Sequence, residues 1–297
     1  MKKITLSRRH FIGTAAAYTG LACFAPALQT LAVGKRTATD QVPLGKTGLM
    51  ISRLGFGTGS NSGNIQFNLG KEEFIKLIRY AYDQGITYFD AAQSYKTFGW
   101  IGDAIKDLPR EKVLIQSKIG GQPKDILAAI DNHRKTFNTD YVDSLLIHCM
   151  IKDGWTDGYK RIMDGFNEAK EKKWIRSKGV SCHSLPALRA ANESSWTEVH
   201  LVRVNPQAVW IDGPEQAVNK SGDNIDPVMA ELKAMHAKGR GIIGMKIIGN
   251  GQFTNAEDRE KSIRFAMSRP EIHSVVIGFK SKAEIDEAIQ RMNAALT

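Results

Sequence analysis

The chain has 297 residues, of which 42% are hydrophobic, enough for one large domain or two average ones, and this composition excludes an intrinsically disordered protein. Its formal charge is +10, but the four basic residues Lys2, Lys3, Arg8 and Arg9 lie in an N-terminal segment without acids, and the rest are spread along the chain. There is no run of five or more basic residues and no nucleic-acid motif, so the charge does not predict a nucleic-acid-binding protein.

The N-terminal segment, residues 1–32, resembles a twin-arginine export signal. Arg8-Arg9 is followed by Phe11, then by a weakly apolar run rich in alanine and glycine, and Ala25-Pro26-Ala27 is typical of a cleavage site. The resemblance implies that the twin-arginine export machinery is a partner, that cleavage occurs near Ala27, and that the mature protein is periplasmic. An uncleaved membrane anchor is the alternative, because the apolar stretch approaches the length of a membrane span.

Beyond a predicted linker over residues 33–41, the pattern predicts a single α/β domain over 42–297. Its first segment alternates on both sides of a turn at Gly45-Lys46-Thr47-Gly48, which predicts an N-terminal β-hairpin that closes one end of the domain. Eight strand-like runs, each followed by a helical stretch, then extend over about 250 residues, as expected of a (β/α)8 TIM barrel. The predicted strands begin near residues 54, 86, 113, 144, 177, 199, 241 and 274.

A doubly wound sheet is the alternative fold. It would carry a G-x-G-x-x-G phosphate loop at the start of its first helix. Here Gly55, Gly57 and Gly59 are followed by a long loop before the helical periodicity begins at Phe74, which favours the barrel.

Titratable residues stand at the ends of three successive predicted strands: Asp90, Lys118 and His148, with Tyr95 in the loop after the first of them. Because the carboxyl ends of barrel strands converge on one mouth, these side chains are expected to lie together. Asp90 needs a cation at the end of a buried strand, and Lys118 can supply it. A phenol has a pKa of about 10, and a nearby ammonium lowers it. This group therefore predicts proton donation by Tyr95 to a carbonyl that is being reduced, with His148 orienting the substrate oxygen.

Several segments of the chain, from Pro43 to Ala288, resemble the aldo-keto reductase superfamily in order. They are Leu44-Gly45-Lys46-Thr47-Gly48, Phe89-Asp90-Ala91-Ala92 with Tyr95, Ser117-Lys118, and Thr139-Asp140-Tyr141-Val142-Asp143 leading to Ile147-His148. The resemblance implies a (β/α)8 barrel in which Asp90, Tyr95, Lys118 and His148 form the catalytic tetrad. It also implies NADP as the cofactor, with NAD as the alternative, and a small aldehyde, ketone or keto-sugar as the substrate.

The same resemblance implies three groups of cofactor-binding residues. They are Ser181 beside the nicotinamide, Met245, Lys246, Gly249 and Gly251 around the pyrophosphate, and Lys280, Ser281 and Lys282 near the adenosine 2′-phosphate. The chain departs from the family at Cys182, at Val204, where a tyrosine is usual, and at Glu284, which would repel a phosphate.

Two other functions fit the same sequence: a cofactor-loaded binding or sensor subunit with little turnover, and an unrelated barrel enzyme with Asp90 as general base. Cys149 and Cys182 follow neighbouring strands, and in an oxidising periplasm a disulfide between them is more credible than a zinc site, with their redox state left open. A zinc site that also used His148 and His183 is disfavoured, because successive strand residues point to opposite faces. No metal is therefore predicted.

Overall fold

The computed structural model describes residues 35–297, and the predicted export signal lies outside the described residues. Two short antiparallel strands precede eight parallel strands, which close into a barrel with each strand beside the next and the last beside the first. This architecture confirms the predicted (β/α)8 barrel with its N-terminal hairpin. The strands are β1 (Gln41–Pro43), β2 (Met50–Ser52), β3 (Leu54–Gly57), β4 (Tyr88–Asp90), β5 (Leu114–Ile119), β6 (Val142–Met150), β7 (Ile175–Cys182), β8 (Val199–Arg203), β9 (Gly241–Met245) and β10 (Ser274–Ile277).

Helices surround the barrel, and one or more follow each of its strands. A short helix, α1, lies in the loop after β3, which carries no helical periodicity in the sequence. The helices are α1 (Asn64–Phe67), α2 (Lys71–Asp83), α3 (Ile101–Ile105), α4 (Ile126–Phe137), α5 (Trp155–Gly158), α6 (Lys160–Glu171), α7 (Leu185–Glu193), α8 (Asp226–Ala237), α9 (Ala256–Met267) and α10 (Lys282–Leu296).

The hairpin closes the end of the barrel where the strands begin. Leu44, Leu49 and Ile51 are buried and share one apolar cluster with residues inside the barrel. Gly45 adopts φ +54, and a Cβ there would lie 2.5 Å from backbone atoms at the start of β9. Glycine is therefore required for the turn to approach the barrel this closely. The opposite end, where the strands finish, stays free of the hairpin.

The Thr139–Asp143 segment holds strands together at the closed end of the barrel. The Asp143 carboxylate accepts hydrogen bonds from Arg110 at 2.7 Å, from Arg176 at 2.9 Å and from the Ile115 backbone N–H at 2.9 Å. A buried carboxylate with this many donors ties the chain before β5, the start of β6 and the start of β7 to one point. The motif is therefore structural and lies away from the mouth.

The described part of the predicted linker packs against the barrel. Ala38 is fully buried, and its backbone N–H donates to the Asn293 side chain at 2.7 Å. The carbonyl of Ala38 accepts from Leu54 at the start of β3. None of the helices within residues 35–297 is long and apolar enough to cross a membrane.

The hairpin should contribute to stability in proportion to its burial. We expect Leu44→Ala to lower the free energy of unfolding by about 2–5 kcal/mol, because it leaves a cavity under the barrel. Met50→Ala, in the same hairpin but 51% exposed, should change it by less than about 0.5 kcal/mol. Urea denaturation of both variants measures the difference, and equal effects would contradict the packing described here.

Candidate active site

A buried ion pair lies at the mouth of the barrel, between the ends of β4 and β5. The Lys118 ammonium donates to both oxygens of the Asp90 carboxylate at 2.7 Å and to the Ala91 carbonyl at 2.8 Å. Lys118 is 1% exposed to solvent and Asp90 is 4% exposed. Asp90 pairs in register with Gln116, two residues before Lys118, so Gln116 and Lys118 point to the same face of β5. Gln116 donates to Asp90 at 2.9 Å, which fixes the carboxylate further.

Tyr95 packs directly against this pair. The Lys118 ammonium lies 5.0 Å from the centre of the Tyr95 ring. On the other side, a Cβ on Gly59 would come within 2.5 Å of the phenol, so only glycine permits the backbone of the β3 loop to lie there. The ring is thus held between the ammonium and the first loop of the mouth.

His148 completes the group of four that the sequence predicts. Its ring centre lies 5.8 Å from that of Tyr95, with the two planes almost perpendicular. Burial, with help from the nearby cations Lys118 and Lys246, lowers the pKa of His148 to about 3. The imidazole is therefore neutral at physiological pH and offers one N–H donor and one acceptor.

The strand that carries His148 is irregular where it reaches the mouth. The register of β6 against β7 shifts between Ile147 and Met150, and Cys149 adopts φ +64. The Cys149 backbone N–H donates to the Ser181 hydroxyl at 2.9 Å. Ser181 thus supports the bulge beside His148.

The pKa of the Tyr95 phenol is raised, whereas Lys118 alone would lower it. The ammonium lowers the pKa of the phenol as expected, but burial raises it by more, so the pKa lies above its ordinary value. The prediction of a lowered pKa was wrong for the described structure, because it left out the loss of hydration. For Lys118, burial is the largest single effect and lowers the pKa, but Asp90 and Tyr95 together raise it by more, so the ammonium stays charged.

A cleft of about 690 Å³ leads from this group outward to the helices that follow β9 and β10. Asp90 and Tyr95 line its inner part, together with the strand ends around them. Of the predicted cofactor-binding residues, Met245, Lys246, Gly251 and Lys280 line it. Its outer wall is formed by side chains of α9 and α10, namely Arg259, Ile263, Glu284, Glu287, Ala288 and Arg291.

Lys246 brings a cation to the wall of the cleft. It adopts φ +61 just after β9, and its ammonium donates to the Asn250 side chain at 2.7 Å. Burial first, and then repulsion by Arg203 and Lys118, lowers the pKa of Lys246 to about 8. Its charge is therefore sensitive to pH just above neutrality.

Four other predicted cofactor-binding residues do not line the cleft. Gly249 lies behind the wall with φ +52, where a Cβ would collide with the Phe253 ring. Ser181 is buried behind the mouth, beside β6. Ser281 caps α10 by accepting from the Glu284 backbone N–H. Lys282 lies over the Tyr80 ring, 4.8 Å from its centre, in a separate surface groove.

A second buried pair, Arg203 and Asp212, was not predicted from the sequence. Arg203 ends β8, and its Nε lies 3.4 Å from an Asp212 oxygen, with both side chains at most 1% exposed. Burial raises the pKa of Asp212 to about 7, against the opposing effect of Arg203. Arg203 also donates to the Val218 carbonyl, so the pair fastens the loop after β8 to the barrel. Arg203 could have been noticed in the sequence because it is a charged residue at the end of an apolar strand, as Asp90 is at the end of β4.

The two cysteines near the mouth, Cys149 and Cys182, are free thiols in the structure, and the disulfide considered from the sequence is not formed there. Burial raises the pKa of both Cys149 and Cys182, which makes their thiolates scarce at neutral pH. Within residues 35–297, no three His, Cys, Asp or Glu side chains are grouped as a metal site would require.

The comparisons with known proteins agree on one family. The model of the aldo/keto reductase family matches residues 53–292. The chain is 37% identical over 168 residues to the NADH-specific methylglyoxal reductase of Escherichia coli, covering 48% of this chain and 51% of that protein. It is 30% identical over 165 residues to the aldo-keto reductase YhdN of Bacillus subtilis, covering 49% and 48% of the two chains. The matches span about a third to a half of the length of the curated relatives.

Solved structures agree at the level of the fold. A protein from Pseudomonas aeruginosa described as an aldo-keto reductase superposes with a TM-score of 0.69 at 20% identity, covering 88% of this chain and 98% of that one. The match to the family model covers most of the chain and includes all four residues at the mouth of the barrel. The protein belongs to the aldo/keto reductase family.

Proposed function

We propose that this protein reduces the carbonyl group of a small aldehyde, ketone or keto-sugar, with a nicotinamide dinucleotide as the hydride donor and Tyr95 as the general acid. The observation that carries the proposal is the Lys118–Asp90 pair packed against Tyr95 at the inner part of the cleft. Family membership supports an oxidoreductase, and the substrate named for the Escherichia coli relative is a small ketoaldehyde, methylglyoxal.

The cleft fits a nicotinamide dinucleotide in size, shape and charge. Its volume of about 690 Å³ is within the range of small-molecule sites, roughly 300–1,000 Å³. Residues 245–248, Asn250 and Gly251 line one side, and Gly251, with φ +91, has no atom within 4 Å of where a Cβ would lie. Lys246 supplies a positive charge for a pyrophosphate. Bound there, the dinucleotide would supply the hydride for the reduction.

The protein's own contribution is the proton. Because its pKa is raised, Tyr95 keeps its proton at neutral pH and can donate it to an oxygen that gains negative charge during reduction. The Lys118 ammonium then stabilises the phenolate that remains. Asp90 keeps that ammonium charged and in place, since it occupies two of the three N–H donors and the Ala91 carbonyl takes the third.

His148 has a positioning role in this proposal. A neutral imidazole beside the phenol can donate a hydrogen bond to the substrate oxygen without competing with Tyr95 as an acid. The general-base alternative for Asp90 finds less support, because both carboxylate oxygens already accept hydrogen bonds, from Lys118 and from Gln116.

Replacing the acid should remove turnover and leave cofactor binding intact. We expect Tyr95→Phe to lower kcat by at least about 100-fold, the typical contribution of a general acid, with little change in the dissociation constant of the dinucleotide. Tyr82→Phe, on the outer helix α2, is the matched control. Absorbance assays with a panel of aldehydes, ketones and keto-sugars measure the rates. Equal rates for Tyr95→Phe and the control would remove Tyr95 from the chemistry.

Dinucleotide binding should weaken as Lys246 loses its charge. Below a pH of about 8 the ammonium is present and the affinity should be constant; above it the dissociation constant should rise with pH. Lys246→Met should abolish this dependence, whereas Lys261→Met, at an exposed position on α9, should retain it. Titration by fluorescence between pH 6.5 and about 9.5 tests the assignment. A pH dependence that persists unchanged in Lys246→Met would assign it to another group.

We also propose that the chain is exported by the twin-arginine route, on the basis of Arg8-Arg9 and the apolar run after it. Replacing both arginines by lysine keeps the charge and should abolish export, because the pair is read by a receptor and is not a charge requirement alone. Arg36→Lys, outside the signal, is the matched control. Cell fractionation and immunoblotting give the result, and a double variant found in the periplasm at the control level would refute the proposal.

A further inference from the structure

The three cations that line the outer part of the cleft, Arg259, Arg291 and Lys280, are already paired with carboxylates. Glu287 lies between two guanidinium groups and accepts from Arg259 Nε at 2.9 Å and from Arg291 Nε at 2.8 Å. Arg291 also donates to Glu260 at 2.8 Å, and Arg259 donates to the Thr254 carbonyl at 2.6 Å. Both arginines are therefore already hydrogen-bonded to groups within this chain.

The third cation of this wall, Lys280, is also opposed by an acid. Its ammonium lies 3.7 Å from a Glu284 oxygen, and its backbone N–H donates to the other Glu284 oxygen at 2.9 Å. Glu284 is fixed from the other side as well, since its own backbone N–H donates to the Ser281 hydroxyl. This arrangement, close to a capping box, holds the Glu284 carboxylate in the cleft at the start of α10.

The other residues expected to bind a phosphate there are engaged elsewhere. The Ser281 hydroxyl caps α10, and Lys282 lies over Tyr80 in another groove. Ala288, which faces the cleft from the next turn of α10, has no polar side-chain atom to offer. A 2′-phosphate would therefore meet the Glu284 and Glu287 carboxylates and would have to displace them from their cations.

A ribose with a free 2′-hydroxyl meets a favourable environment in the same place. A carboxylate accepts a hydrogen bond from a hydroxyl, and this is how dinucleotide sites select NAD over NADP, whereas unpaired arginines favour the 2′-phosphate. The Arg291 and Arg259 hydrogen bonds lower the pKa of Glu287 against the effect of burial, so that carboxylate is ionised at neutral pH.

We propose that the outer wall of the cleft selects NAD(H) over NADP(H), with Glu284 and Glu287 as the residues that exclude the 2′-phosphate. This inference rests on the proposed function, because it assumes that the cleft holds a nicotinamide dinucleotide with its adenosine at α10. It departs from the NADP that the sequence resemblance implies.

Direct titration of the purified protein with NADH and with NADPH, at one fixed ionic strength, tests the proposal by binding and does not depend on a substrate. We expect the dissociation constant of NADH to be at least about tenfold lower, a difference of about 1.4 kcal/mol. An equal or tighter binding of NADPH would overturn this inference and leave the proposed function standing. Binding of neither dinucleotide would overturn both.

A charge-neutral variant tests the residue assignment. Glu284→Gln keeps the size and an acceptor oxygen for the Lys280 N–H, and it should tighten NADPH binding by about three- to tenfold and so narrow the preference for NADH. Glu72→Gln, an exposed acid on α2 away from the cleft, should change neither. If the ratio of the two affinities is the same in Glu284→Gln and Glu72→Gln, Glu284 does not select the cofactor. Thermal melts of both variants establish that they are folded.

Discussion

The ion pair of Lys118 and Asp90 is the interaction on which the candidate site depends. Burying an ammonium is costly in free energy, and removing one partner of such a pair typically costs about 3–5 kcal/mol because the other charge is left uncompensated. Here the cost is offset by two carboxylate contacts and a carbonyl, which use all the hydrogens of the ammonium. The Lys118 ammonium is therefore a fixed positive charge beside Tyr95, and in the proposed reaction it needs no rearrangement when the phenol gives up its proton.

The barrel makes this arrangement possible because the contacts that stabilise it lie at one end and the candidate site lies at the other. At the closed end, the hairpin fills the barrel and Asp143 joins the beginnings of neighbouring strands. At the open end, strand residues are free to carry charges that would be intolerable in the core. Arg203 and Asp212 use the same freedom to hold the loop after β8, so this mouth contains two buried ion pairs with different tasks.

Much of the fold could be predicted from the sequence, because the alternation of strands and helices is a property of neighbouring residues. Asp90, Lys118 and His148 could be brought together because barrel topology fixes where strand ends meet. The net pKa shift of Tyr95 could not be predicted, since it depends on how much water the folded mouth excludes. The separate orientations of Ser281 and Lys282 depend on the cap of α10, which the sequence pattern does not resolve.

The ion pairs between α9 and α10 could not be predicted from the sequence for a related reason. Glu287 and Arg291 are one helical turn apart, but Arg259 and Glu260 come from another helix, and only the packing of the two helices joins them. The sequence therefore shows that Lys280 and Lys282 are basic residues near the proposed cofactor cleft. It does not show which of these charges are free to bind a phosphate.

The central claim, that the Lys118 ammonium acts on the Tyr95 phenol, is tested most directly by the pKa of that phenol. Tyrosine can be replaced throughout by 3-fluorotyrosine, whose phenol titrates at lower pH, and the Tyr95 resonance assigned by its loss in Tyr95→Phe. In ¹⁹F NMR titrations we expect a higher pKa for this residue in Lys118→Met than in the wild type. An unchanged pKa in a folded Lys118→Met protein would contradict it.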